Sequence, residues 1–338
     1  MKKLLITGLL TINLLFMSAC GAQTSMIPSL KIIVEAKDEN GEPVPMVNVV
    51  MAGSTSTPGS RREAFGDTDA NGRFSAIIAT MDGNVKVRSF FTKGYYKCGN
   101  EVTVGQKTPN DLSMLKTGKW SDDEQIVPLL MRPINNPVPM KVKKVTESIP
   151  IKNEWVGYDL ETGDWVMPHG KGQVADIELY SEGTVESTVE YNGKTTMRFP
   201  GFGNGIQSID LLRGYQRCEF QSPYEAPEDG YFRQWEWNDI RRTKGLQFSE
   251  ITDESFPSRM FVFRIRTEMD NYGRVIRAMY GKIYGPVHFG VRGSDNKGTR
   301  GSINLTYYLN PDYTRNLEYD PKQNLFTQPR HGATTFPP

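Results

Sequence analysis

The sequence predicts an all-β chain, and three observations carry that expectation. The 338 residues include 32 Gly and 21 Pro, and 11% are aromatic, a turn-rich composition that suits short strands better than long helices. The dipeptides that favour a tight two-residue turn recur, as Asn40-Gly41, Asn71-Gly72, Asp82-Gly83 and Asn192-Gly193. Apolar residues alternate with polar ones instead of recurring at helical spacing. Met260 to Arg266 alternates, turns at Asn271-Tyr272-Gly273 and returns through Val275 to Tyr284. Ser302 to Tyr307 places Ile303, Leu305 and Tyr307 inward and Asn304 and Thr306 outward. One short helix is predicted at Asn110 to Leu115, with Asn110 as its cap. The length allows two domains, each with its own core.

The N-terminus reads as an export signal. Lys2 and Lys3 precede an apolar run from Leu4 to Phe16, at about 13 residues too short to span a bilayer comfortably. Met17, Ser18 and Ala19 then lead to Cys20. This stretch resembles the bacterial lipobox, with Met17 where Leu is usual. The resemblance implies cleavage before Cys20, acylation of Cys20, and a body tethered in the cell envelope, facing the periplasm or the cell exterior. The alternative is an ordinary secretory signal with Cys20 incidental. Gly21 is not acidic, which by resemblance to enteric lipoproteins argues against inner-membrane retention. The leaflet stays open.

From Leu30 strands begin. The segments Val34-Glu35-Ala36-Lys37-Asp38-Glu39-Asn40-Gly41-Glu42-Pro43-Val44-Pro45, Gly66-Asp67-Thr68-Asp69-Ala70-Asn71-Gly72-Arg73-Phe74 and Gly94-Tyr95 follow one another at spacings that resemble a carboxypeptidase regulatory-like domain. That resemblance implies a small transthyretin-like β-sandwich, an accessory module without catalytic residues. The predicted layout is a signal at 1–19, a lipidated tether at 20–27, this sandwich at 28–135, and a linker at 136–150. A larger β-sandwich or jelly-roll-like domain follows at 151–326, then a tail at 327–338. The linker rests on Pro133, Pro137 and Pro139, each of which fixes φ and removes a donor. The second domain resembles no family. Cys98 and Cys218 are read as free, buried thiols. A disulfide, which the exported compartment permits and which would lock the two domains together, is the alternative.

Chemistry-bearing patterns are sparse, and no catalytic residue is assigned. His169, His288 and His331 have no partner at ligand spacing and no Cys-x-x-Cys occurs, so neither a metal nor a cofactor is expected. Asp67, Asp69 and Asn71 open like a calcium loop, but Ile78 stands where the bidentate Glu belongs, and a self-capped turn is the expectation. Gly201-Phe202-Gly203-Asn204-Gly205 is read as a loop needing positive φ or close approach. No Gly-x-Ser-x-Gly elbow or phosphate loop occurs, and a formal net charge of +1 gives no basis for nucleic-acid binding. Glu225, Glu228, Asp229, Glu236 and Asp239 are candidate hydrolytic carboxylates, with a solvated acidic loop as the simpler reading.

The run Tyr231-Phe232-Arg233-Gln234-Trp235-Glu236-Trp237 would, as a strand, put Tyr231, Arg233, Trp235 and Trp237 on one face. Exposed, that row would suit a sugar ring, with Arg or Gln bonding its hydroxyls. Buried, the two tryptophans would simply fill the core, their usual fate. Arg264, Arg266, Arg274 and Arg277 would form a cationic face unless paired with Glu268, Asp270 and Asp295. Together these point to a membrane-tethered, non-catalytic binding or structural protein, with carbohydrate as the first ligand class. A polysaccharide hydrolase or lyase and an envelope assembly partner are the alternatives.

Overall fold

The computed structural model describes residues 27–54, 61–103, 118–187, 190–210, 218–244, 247–252, 259–292 and 300–326. The export signal with Cys20, the predicted helix at 110–115, and the tail at 327–338 lie outside the described residues. Every regular element among the described residues is a strand, so the chain is all-β, as predicted.

The first sandwich is built from β1 (Ser29–Lys37), β2 (Asn48–Ser54), β3 (Arg61–Asp67), β4 (Arg73–Ala79), β5 (Asn84–Ser89), β6 (Gly99–Thr103) and β7 (Lys119–Leu130). They form two sheets in the orders β4-β1-β7 and β3-β2-β5-β6. The period-two pattern of β1 sends Leu30, Ile32, Val34 and Ala36 inward against Val49 and Met51 of β2 and Val85 and Val87 of β5. Each buried Val, Leu or Ile contributes roughly 1.5–3 kcal/mol relative to exposure. Turns form where Asn40-Gly41 and Asn71-Gly72 place them, but not as the two-residue hairpins expected: only the glycine of each pair takes positive φ, and the strands they join lie in different sheets. The Asp38 carboxylate accepts from the Asn40 and Glu42 amides, both at 2.9 Å, and Asp69 accepts from Asn71 and Arg73. Gly41 and Gly72 adopt φ of 83° and 71°. Asp82 caps the next turn. Burial pushes its pKa up, but hydrogen bonds from Ser54, Asn84 and Thr80 outweigh this and hold it down at about 2.

The second sandwich uses β8 (Val138–Ser148), β9 (Val156–Asp159), β10 (Asp164–Trp165), β11 (Ile177–Ser187), β12 (Glu190–Arg198) and β13 (Gly205–Asp210). It continues with β14 (Gln234–Lys244), β15 (Gln247–Thr252), β16 (Arg259–Met269), β17 (Val275–Arg292), β18 (Arg300–Asn310) and β19 (Tyr319–Asn324). One sheet runs β10-β9-β11-β12-β14-β15 and the other β13-β16-β17-β18-β8-β19. Their facing sides share one core that includes Leu179, Met197, Trp237, Phe261, Phe263, Ile303, Leu305 and Tyr307. The inward set predicted for β18 is therefore the observed one.

Three expectations need correction. The linker at 136–150 is largely β8, which pairs with β18 and β19. Its ladder with β18 begins at Lys141, beyond Pro137 and Pro139, so neither proline has to donate to that ladder. Asn192-Gly193 is not a hairpin turn: β12 runs straight through it, with Gly193 opposite Gly183. A Cβ on Gly183 would lie 2.4 Å from the Asn192 carbonyl oxygen, so the glycines serve close approach of two strands. Finally, Cys98 and Cys218 are not free thiols but a disulfide across a sequence separation of 120 residues.

The disulfide belongs to a buried junction between the sandwiches. The segment from Cys218 to Gly230 lies between β13 and β14 in sequence, yet Cys218 packs in the first sandwich's core. The Glu219 amide donates to the Lys97 carbonyl at 2.8 Å. Arg132, only 2% exposed, donates to the carbonyls of Phe220 and Ser222 and, at 2.9 Å, to Glu39. Its guanidinium stacks 4.4 Å from the Phe220 ring and 4.5 Å from the Tyr224 ring. Glu318, also buried, accepts from the Tyr96 hydroxyl at 2.8 Å and from the amides of Asn135 and Asn136. Lys282 donates to the Ser222 hydroxyl at 2.9 Å. Burial and Arg132 push its pKa well down, against an opposing pull from Glu318.

Closing a loop of this length removes much unfolded-state entropy. Replacing both cysteines by Ser is expected to cost about 2–4 kcal/mol, read from non-reducing chemical denaturation. Dithiothreitol should lower the native protein's stability similarly and leave the double variant unmoved.

Candidate ligand site on the outer sheet face

The outer face of the β10-β9-β11-β12-β14-β15 sheet carries the candidate site. Register places Glu178 of β11, Arg198 of β12 and Gln234 of β14 side by side in one row across three strands. Alternation turns their neighbours Leu179, Met197 and Trp235 to the other face, toward the core. The row, with Pro200 and Arg233, lines an open cleft of about 480 Å³, within the range of small-molecule sites.

Trp155 stands beside the cleft, against Arg198, and is not one of its lining residues. It precedes β9, whose Val156 pairs with Leu179, and its ring lies 5.3 Å from that of Tyr180 on the same sheet. The Arg198 guanidinium sits 3.8 Å from the centre of the Trp155 ring and also bonds the Glu178 carboxylate. Trp155 remains 39% exposed. Arg233 is held at its backbone, where its carbonyl accepts from the Phe199 amide at 2.9 Å. Its side chain is exposed and pairs with no carboxylate among the described residues. Phe202 and Phe232, 81% and 63% exposed, lie on the two segments that carry Pro200 and Arg233.

Of the four predicted ligand residues, only Arg233 reaches this site. Trp237 is buried, and Trp235 packs against the same core, its ring 5.1 Å from that of Phe261. The strand begins at Gln234, so the face-sharing of Tyr231 with the tryptophans fails. Tyr231 instead stacks under Arg264, 4.6 Å from ring centre to guanidinium. The residues missed by sequence were Trp155, Glu178 and Arg198. They come together only through β9-β11-β12-β14 pairing, and Trp155 carried no local motif.

The other candidate groups are engaged elsewhere. Glu225 and Glu228 both bond Arg315 at the surface, and Glu236 pairs with Lys194 at 3.0 Å. Arg274 and Arg277 pair with Asp270 and Glu268, as the simpler reading anticipated. In the glycine-rich loop, Gly201 and Gly203 take positive φ, and the Gly203 carbonyl accepts from Arg264 at 2.7 Å. Arg264 and Arg266 do not form one cationic face. The β16–β17 pairing skips between Ile265 and Glu268 and Arg266 adopts φ of 50°, a bulge that re-aims its side chain.

Arg266 thereby reaches Asp159, Glu161 and Asp176. Asp159 and Asp176 are both 2% exposed, and their oxygens are heavily engaged. Asp159 accepts from the amides of Glu161, Thr162, Gln173 and Val174, and Asp176 from that of Leu160. Burial pushes the Asp159 pKa up, but these donors prevail and hold it below the usual range. For Asp176 burial prevails over Arg266, and its pKa rises. This knot fixes the β9–β10 loop onto the opposite sheet. No group of three or more His, Cys, Asp or Glu suited to a metal occurs among the described residues.

Fold and site together define a two-sandwich β protein with a charged cleft on one sheet face. No family model and no curated protein matches the chain. Among solved structures it is similar to a mutant of shaft pilin SpaA from Lactobacillus rhamnosus GG, at 11% identity, 82% coverage of this chain and 93% of that one. The TM-score is 0.23, and the likeness carries no functional argument.

Removing Arg266 leaves two buried carboxylates without their cation. An Arg266→Leu variant is expected to lose about 3–5 kcal/mol at neutral pH. The deficit should narrow as pH falls, because protonation neutralises the stranded carboxylates. Chemical denaturation from pH 7 to pH 4 measures both.

Proposed function

We propose that this protein is an envelope lipoprotein, acylated at Cys20, that binds carbohydrate without turning it over. The single observation that carries the binding part is the cleft lined by Arg198, Arg233 and Gln234, with the half-exposed Trp155 ring beside it against Arg198. A sugar presents a flat C–H face and a rim of hydroxyls. An exposed aromatic ring next to planar donors matches both. Glu178 is bonded to Arg198, an arrangement that favours a fixed binding surface over a general acid or base. The first sandwich acts as an accessory spacer, in keeping with its resemblance to carboxypeptidase regulatory-like domains.

The anchor and the ligand are tested separately. Radiolabelled palmitate should enter the expressed protein but not its Cys20→Ala variant, and the variant should leave the membrane fraction; equal labelling of both would overturn the anchor. On a glycan array the full chain should retain at least one glycan class, and Trp155→Ala should weaken that binding about tenfold or more. Retention of no glycan, or indifference to Trp155→Ala, would overturn the binding site.

A further inference from the structure

We propose that the cleft selects an anionic sugar residue, bearing carboxylate or sulfate, with Arg233 as its charge partner. The inference rests on the carbohydrate reading above and adds the ligand's charge. Two cations and one anion line the cleft: Arg198, Arg233 and Glu178. Glu178 and Arg198 neutralise one another, and the second side of the Arg198 guanidinium is spent on Trp155. Arg233 is left with no carboxylate partner among the described residues. The surplus is local, since the whole chain carries a formal net charge of only +1. Other arginines of this sandwich meet acids, among them Arg274 with Asp270, Arg277 with Glu268 and Arg315 with Glu225.

Arginine's planar fork donates two parallel N–H groups and matches the paired oxygens of a carboxylate or sulfate. Within the cleft, partial exclusion of water strengthens such a contact relative to open solvent. Gln234, adjacent in sequence and on the same lining, can bond a hydroxyl of the same sugar. Glu178 repels an anion while bonded to Arg198, so it tempers the selectivity. Its removal therefore strengthens anion binding by freeing Arg198, an effect that a purely structural ion pair would not produce.

The test is calorimetric titration of the full chain in a sugar-free detergent. The probes are an oligogalacturonate, a sulfated galactan oligosaccharide and an uncharged galactan oligosaccharide of equal length. One anionic probe should bind about tenfold tighter than the neutral one, and the better of the two identifies the acid group. Arg233→Gln should abolish that preference, Glu178→Gln should increase it, and Arg73→Gln on the first sandwich should leave it unchanged. The preference should also shrink as salt rises from 50 to 300 mM, roughly as screening of a partly exposed pair requires. Equal binding of the neutral and anionic probes, or a preference that survives Arg233→Gln, would overturn the charge assignment while leaving carbohydrate binding standing. Binding of none of the three, by a protein that also fails on the glycan array, would overturn both.

Discussion

The architecture depends on one buried junction, where Arg132 of the first sandwich is enclosed by Phe220, Ser222 and Tyr224 of the second. A guanidinium at 2% exposure survives there because carbonyls, two aromatic faces and Glu39 replace its lost water. Glu318 makes the reciprocal link, holding Tyr96 and the chain at Asn135 and Asn136. These contacts are satisfied only when both sandwiches are folded and docked. The Cys98–Cys218 disulfide makes that docking covalent. Two domains that might otherwise swing on a linker therefore behave as one body at this seam.

The junction also bears on the cleft. The segment that starts at Cys218 ends by delivering Arg233 and Gln234 to the site. At its far end it is fixed by the Phe199–Arg233 backbone bond and the bridge between Ile206 and Phe232. One chain segment is thus pinned to the first sandwich and to the second, and a binding residue sits where it rejoins the sheet. The rest of the site needs no such device. Glu178, Arg198 and Gln234 are adjacent because antiparallel register puts them there, and their position on the outer face follows from the burial of Leu179, Met197 and Trp235 on the inner one.

What could be read from the sequence was what local patterns determine. The inward set of β18, the positions of the turns at Asn40-Gly41 and Asn71-Gly72, and the self-capped turn at Asp69 depend on neighbours within a few residues, and these were legible; β16 is buried on both faces, so no alternation shows there. Asn192-Gly193 was misread because the same dipeptide also serves strands that approach closely, and only the partner Gly183 distinguishes the cases. The prolines before β8 concealed a strand whose ladder with β18 starts just after them. The disulfide was hidden because Cys218 belongs by sequence to one domain and by packing to the other. Of the site, Arg233 was visible in an aromatic run. Trp155 and Arg198 were not, since their 3.8 Å contact joins segments separated by all of β9, β10 and β11.

Under the anchor proposed at Cys20, the direction of β1 decides what the first sandwich would do. Ser29 opens β1 beside Gly118 and Lys119, whereas Lys37 closes it where Met131 and Arg132 enter the junction. Nine residues of strand separate these ends by about 26 Å at roughly 3.3 Å per residue. The proposed anchor precedes Ser29 in sequence, so the chain enters the first sandwich at the end remote from the second. With that anchor, the fixed seam would hold the cleft at a defined distance from the membrane, which a swinging linker would average away. A site for the anionic polymer proposed above would benefit from that offset, because anionic lipid headgroups repel such a ligand within about 8 Å at physiological salt. On that reading, spacer, staple and cleft answer one physical requirement: presenting Arg233 beyond the reach of the membrane's own negative charge.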